Sequence, residues 1–181
     1  GGRVLIADNP GVSTIHYNWQ RAYERAGLAA VAAETGAELN TEIVALQRPY
    51  PDGHLIKVVD TCTFVIDADV VISLPKLKTH DLMRFTGAVK NLFGTIPGLI
   101  KPGYHVKLQT TDQFADMLLD LAGFVHPALT IMDAVVGMDG DGPSAGRPSL
   151  GTPAASRYPP HMAPKQHNRT TFHLPPPSQD A

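Results

Sequence analysis

Hydrophobic and polar positions along the chain fall into alternating strand-like and helix-like segments. Residues 3–7 (RVLIA) form a short apolar run of strand type, closed by the turn signal Asp8-Asn9-Pro10-Gly11. Trp19, Ala22, Tyr23, Ala26 and Ala30 then recur at three- and four-residue spacing. This predicts a helix over residues 17–35, interrupted near Gly27 and ended by Gly36. Residues 42–46 read as a second strand and 48–53 as a Pro/Gly loop. Residues 54–59 and 61–66 read as a pair of strands or a hairpin turning near Asp60. The clearest strand is ADVVISL, residues 68–74. Its nearly continuous apolar character predicts a strand covered on both faces and stopped by Pro75.

Beyond that strand, residues 80–93 have room for a helix broken near Gly87, and 95–103 form a Pro/Gly loop. Residues 106–123 predict a long helix, and 128–132 a strand ending at Asp133. A glycine-rich loop follows over 137–146. The alternation predicts an α/β domain with a mostly parallel sheet flanked by helices. After Gly151 the periodic apolar pattern stops, and Pro159-Pro160 and Pro175-Pro176-Pro177 can continue neither helix nor sheet. The expected division is an α/β domain over residues 1–151 and a disordered Pro/His-rich tail over 152–181. His161, His167 and His173 belong to that tail and read as part of it rather than as a metal tract.

Composition narrows the function classes. With 181 residues, 43% of them hydrophobic and 18% charged, the chain can bury one core. A formal net charge of −2 removes the global basic field of a nucleic-acid binder. No apolar run approaches the roughly 20 residues of a membrane span. The chain opens Gly1-Gly2-Arg3 with neither a secretory signal nor an initiating Met, which reads as a cytoplasmic chain that is a fragment or was processed. The single cysteine, Cys62, excludes an intramolecular disulfide and any iron–sulfur cluster held by this chain's own cysteines. Its setting in TCTFVI is that of a buried thiol.

Against this mildly acidic background the positive charge is concentrated. From Lys76 to Lys107 the only acidic side chain is Asp81. The stretch LPKLKTHDLMRFTGAVKNLFG suits an anion: Lys76, Lys78 and Lys90 supply charge, and Thr79, Thr86, Asn91 and the amides around Gly87 supply donors. If extended, Lys76 and Lys78 point the same way. His80 and His105 are the candidate proton-transfer groups. The competing reading is a solvated basic surface. Phosphate-loop, dinucleotide, serine-hydrolase and zinc-protease spacings are all absent. Asp133, at a strand end, is the candidate metal ligand or histidine-orienting group. Asp112, Asp116 and Asp120 share a helix face and read as solvated or as helix-dipole partners. Asp139 and Asp141 lack the full calcium-loop pattern, and His16 alone carries no signature.

The blocks ADVVISLPKLKTH, TGAVKNLFGTIPG and DLAGFVHPALTIMDAVVGMDGDGPSAG, with His105 between the last two, resemble the domain of unknown function 362 family over residues 4–151. The resemblance implies no settled activity. Some members carry ferredoxin-type iron–sulfur modules, whose cysteine motifs are missing here. It also implies further sequence before residue 4 and another αβ section after residue 151. The tail found there reads as a truncation or a shifted reading frame, leaving an incomplete sheet with an exposed apolar edge. The order Gly87, Lys90, Pro97, Gly98, His105 is faintly similar to the nickel-pincer lactate racemase group, which would imply Lys and His gripping an anionic cofactor. The functional expectation is an α/β domain binding a small anionic ligand or cofactor, with a redox-associated enzyme as one form of it. The alternatives are a non-catalytic domain docking to an acidic ferredoxin-like protein, or an inactive fragment.

Overall fold

The computed structural model describes residues 2–9, 17–143 and 145–150. The expectations for residues 10–11, for His16 and for the tail over 152–181 lie outside the described residues. Strand β1 (Leu5–Ile6) leads to helices α1 (Trp19–Arg25) and α2 (Leu28–Thr35), then β2 (Glu38–Leu39), β3 (Ala45–Pro49) and β4 (Val58–Cys62). The short helix α3 (Thr63–Ile66) precedes β5 (Ile72–Ser73), β6 (Lys76–His80) and β7 (Arg84–Thr86). Helix α4 (Ala88–Asn91) passes into a 3₁₀ turn (Leu92–Thr95), followed by α5 (Lys101–Lys107), α6 (Thr111–Val125), β8 (Leu129–Thr130), β9 (Asp133–Asp139) and β10 (Arg147–Leu150). The chain is of the α/β class.

The parallel pairings are β1–β2, β5–β8 and β6–β9, each joined by a connection that contains helices. The antiparallel pairings, β3–β4, β6–β7 and β9–β10, are hairpins between consecutive strands. Two of the parallel ladders are one ladder interrupted. Ile131 N–H donates to Ser73 O at 3.0 Å and Asp133 N–H to Pro75 O at 2.9 Å. Pro75, fully buried, therefore does not stop the strand. It lacks only the N–H, and its carbonyl keeps the pairing alive into β6.

Further sequence expectations change. Of the strand expected over 42–46 only Ala45 and Leu46 are strand, as the start of β3, and β4 pairs with the upstream β3 instead of with residues 63–66, which turn helical. The reason lies in α6. The Asp120 carboxylate accepts the N–H groups of His54, Leu55 and Ile56 at 2.6, 2.6 and 2.8 Å, so those residues form a captured loop and not a strand. Asp120 is thus buried and structural, unlike the exposed Asp112 and Asp116. Residues 80–93 form a β-hairpin arm before a single helical turn, because β6 continues through His80. The loop expected over 137–146 is largely the β9–β10 hairpin.

The last change concerns ADVVISL. Val70, Ile72 and Leu74 are 63%, 55% and 68% exposed, and Leu129 and Ile131 of the paired segment are 50% and 56% exposed. One face of the strand expected to be covered on both sides is open, leaving an apolar surface.

The core lies on the other side, around α6. Thr110 caps that helix by accepting the N–H of Gln113 at 3.2 Å, and Asp112 occupies its first turn. Phe114, Met117, Leu118, Leu121 and Val125, at three- and four-residue spacing, face inward. They pack with Val59 of β4, Val65 of α3, and Leu92, Phe93 and Ile96 around the 3₁₀ turn. Burying each such side chain stabilises the fold by about 1.5–3 kcal/mol. The same cluster fixes the segment that carries Lys90, Asn91 and Lys101.

Candidate functional site

Strand β6 delivers its lysines to different places. Lys76 is in register with Asp133 and Lys78 with Met138, so β9 bulges between the two positions. Lys76 Nζ meets Asp133 Oδ2 at 2.5 Å in a half-exposed ion pair. Asp133 Oδ1 accepts the N–H of Val135 at 3.0 Å, and the Lys76 hydrogen bond holds its carboxyl below the usual range. Lys76 and Asp133 therefore engage each other. Among the described residues no group of three or more His, Cys, Asp or Glu side chains gathers as a metal site, at Asp133 or elsewhere.

Lys78 instead enters an open cleft of about 610 Å³. Its cationic wall is Lys78, Lys90 and Lys101; its imidazoles are His80 and His105; Thr86 and Asn91 add polar groups. At the far side stand Asp8 and Asn9, just after β1. The end of β6, the β7–α4 junction, the start of α5 and the end of β1 thus converge on one space. Asn91 is oriented by donating to Ser73 Oγ at 3.1 Å. Lys78 and Lys90 have no carboxylate within 4.0 Å among the described residues.

Aromatic packing holds the charges in place. Lys90 Nζ lies 4.7 Å from the Phe93 ring centre and 5.7 Å from that of Phe114, and Lys101 Nζ lies 5.8 Å from Phe93. His105 stacks on Phe114 at 4.6 Å between centres. Burial, reinforced by Lys101 and Lys78, pushes the Lys90 ammonium down to about 8. Burial lowers Lys101 too, with Cys62 and Asp8 opposing. His80 is pushed down to about 4 by burial first and then by Lys90, so it is neutral at pH 7. Its Nδ1 accepts the N–H of Met83 in a long 3.4 Å contact, which leaves Nε2 as the protonated nitrogen. His105 is likewise lowered by burial and by Lys90.

Lys101 and Asn9 form the floor, and both are buried, at 9% and 5% exposure. Lys101 Nζ donates to Asn9 O at 3.2 Å. Asn9 Nδ2 donates to Ile96 O and contacts Cys62 Sγ at 3.5 Å. Asn9 Oδ1 is buried without a hydrogen-bond partner among the described residues. Cys62 is the buried thiol expected of it, pushed up to about 11 by burial. Sequence reasoning missed Asn9 and left Lys101 without a role. The available signal for Asn9 was its place in a turn at the end of a strand.

Four candidates, Lys76, Thr79, Gly87 and Asp133, lie apart from the cleft. Thr79 faces a smaller hollow of about 240 Å³ that it shares with His80, Asp81, Arg84 and Asp139. Gly87 precedes α4, where a side chain would press on the Phe85 ring at 3.1 Å and the Met132 sulfur at 3.4 Å, so its role is close packing. Lys76 remains with Asp133. The β9–β10 turn lies so close to β6 that a side chain at Gly142 would run into the Thr79 carbonyl, and the adjoining Pro143 lines the cleft.

No helix among the described residues is long and apolar enough to cross a membrane. No solved structure gives a significant match to the chain. Thylakoid-associated protein sll1697 of Synechocystis sp. is 43% identical over 93 residues, half of this chain. The match spans 29% of that relative's length. The model of the family described as Domain of unknown function (DUF362) matches residues 1–161. A match over that much of the chain, with the Lys-Leu-Lys-Thr-His and Thr-Gly-Ala-Val-Lys-Asn blocks inside it, makes this protein a member of the DUF362 family.

Proposed function

We propose that the cleft between β1, β6, α4 and α5 binds a small anionic ligand. The observation that carries this reading is the convergence of Lys78, Lys90 and Lys101 on one space, with Lys78 and Lys90 lacking a carboxylate partner. A half-buried Lys90 ammonium, lowered by burial and by Lys101 and Lys78, is costly to the fold, and an anion beside it offsets that cost. Thr86 and Asn91 orient the ligand. His80 and His105, neutral at pH 7, stand beside it as the proton-transfer groups. Lys76, Thr79, Gly87 and Asp133 support the walls and do not contact the ligand.

Calorimetric titration with phosphate, sulfate and small carboxylates tests the reading. The expected result is saturable binding that Lys90→Met weakens at least about tenfold, the loss of one charge-assisted hydrogen bond. Equal affinity in the native chain and in a Lys78→Met/Lys90→Met variant overturns it.

A further inference from the structure

The floor of the cleft specifies more than negative charge. Ile96 O requires a donor from Asn9, which fixes the Asn9 amide with Nδ2 toward Ile96. Asn9 Oδ1 is then an acceptor, buried and without a donor among the described residues. The Lys101 ammonium, in contact with the backbone oxygen of the same residue, has three protons and spends one on Asn9 O. A buried acceptor left empty costs about 1–3 kcal/mol, so this corner is built for a group that donates and accepts at once. A hydroxyl does both, giving its proton to Oδ1 and taking one from Lys101. A carboxylate or a fully ionised phosphate cannot donate.

Charge sets the other half of the ligand. Among the described residues Lys78, Lys90 and Lys101 face the cleft against the single carboxylate of Asp8, and both histidines are neutral at pH 7. Two positive charges are left over. A monocarboxylate matches one of them, whereas a phosphomonoester, close to a dianion at pH 7, matches both. Lys90 and Lys101 flank one aromatic ring, Phe93, so the charged and hydroxyl-seeking corners adjoin.

We infer that the ligand is a phosphomonoester of a small hydroxylated compound, its phosphate on Lys78 and Lys90 and its hydroxyl between Asn9 Oδ1 and Lys101. This rests on the anion-binding reading above and narrows it to a chemical class. The cleft volume of about 610 Å³ accommodates a molecule of that size.

Calorimetry on the full chain at pH 7 compares three probes: glycerol 3-phosphate, propyl phosphate and propionate. Glycerol 3-phosphate is expected to bind about tenfold more tightly than propyl phosphate, and propyl phosphate about tenfold more tightly than propionate. Propionate binding as tightly as propyl phosphate overturns the charge assignment, and equal affinity of the two phosphate esters overturns the hydroxyl assignment. Both outcomes leave anion binding intact. Failure of all three probes to bind removes the parent reading as well. Asn9→Ala is expected to abolish the preference for glycerol 3-phosphate over propyl phosphate, and a preference that survives in this variant overturns the role of Asn9. Should Asn9→Ala fail to fold, the comparison of the two esters on the native chain still decides.

Discussion

Lys76 and Lys78 leave the same strand two residues apart and meet opposite fates. Lys76 is half-exposed and ion-paired with Asp133 at 2.5 Å. Lys78 is drawn into a cleft with two other lysines and has no carboxylate partner among the described residues. The bulge in β9 separates them: residues 133 and 138 on that strand face residues 76 and 78 on β6. The contrast shows that a cluster of charge in sequence is not yet a site. What distinguishes the inner group is support, a packed floor of Phe93 and Phe114, together with the absence of a neutralising partner.

The severest way to break that contrast is to remove the floor. Phe114→Ala should cost about 3–5 kcal/mol of stability in urea unfolding, as expected for a fully buried aromatic side chain. It should also free His105 from its stacking contact and weaken anion binding. A loss below about 1 kcal/mol would mean that the floor is not holding the site. Next in size is Lys90→Met, which separates binding from stability. Anion affinity should fall at least about tenfold, while the ligand-free chain gains on the order of 1 kcal/mol because a half-buried ammonium is gone. If binding and stability decline together, the lysine is structural.

A smaller effect should appear in the pH dependence of unfolding. Lys90 sits at about 8 in the fold against its ordinary 10.5, so above pH 8 the unfolded chain binds the extra proton. Stability of the ligand-free protein therefore rises from about pH 8, until the Cys62 thiol opposes it above its ordinary 9. His80 acts on the acid side. Its folded value of about 4 lies below 6.5, so its contribution is lost as pH falls from 6.5 through 4. Urea titrations at a series of pH values should show both arms, with Lys90→Met flattening the alkaline one and His80→Asn the acid one. The smallest effect belongs to the outer pair. Lys76→Met should change stability by about 0.2–1 kcal/mol and leave anion affinity unaltered. A tenfold loss of affinity in that variant would erase the distinction between the two lysines.

What was legible in the sequence follows from the range of the interactions involved. The interruption at Gly27 and the stop at Gly36 were visible because both take a backbone conformation that glycine adopts freely, with φ of 75° and 74°. The long helix expected over residues 106–123 was visible because apolar residues recur there at helical spacing, and α6 occupies most of that range. Lys78, His80, Thr86, Lys90, Asn91 and His105 were picked out by type and clustering, and the fold gathers all six around one cleft. The misreadings arise where a distant partner decides. Residues 54–56 look strand-like until Asp120, more than sixty positions away, takes their N–H groups. Lys76 looks like Lys78 until Asp133 claims it. Asn9 carried only its place in a turn after a strand. Its meaning depends on Ile96 and Lys101, which only the folded chain brings to it.

The crowding at Gly142 has a consequence for how this protein tolerates change. Replacing each residue in turn would produce an uneven map around the cleft. At Gly94 an added methyl group meets nothing within 4 Å, although that residue lines the space itself. At Gly142 even alanine forces the turn away from the Thr79 backbone, and Pro143 moves with it. Sensitivity to substitution should therefore be sharper at a backbone hinge outside the charged cluster than at some positions within it. A survey that ranked residues by tolerance alone would find the wall of the cleft before its lysines.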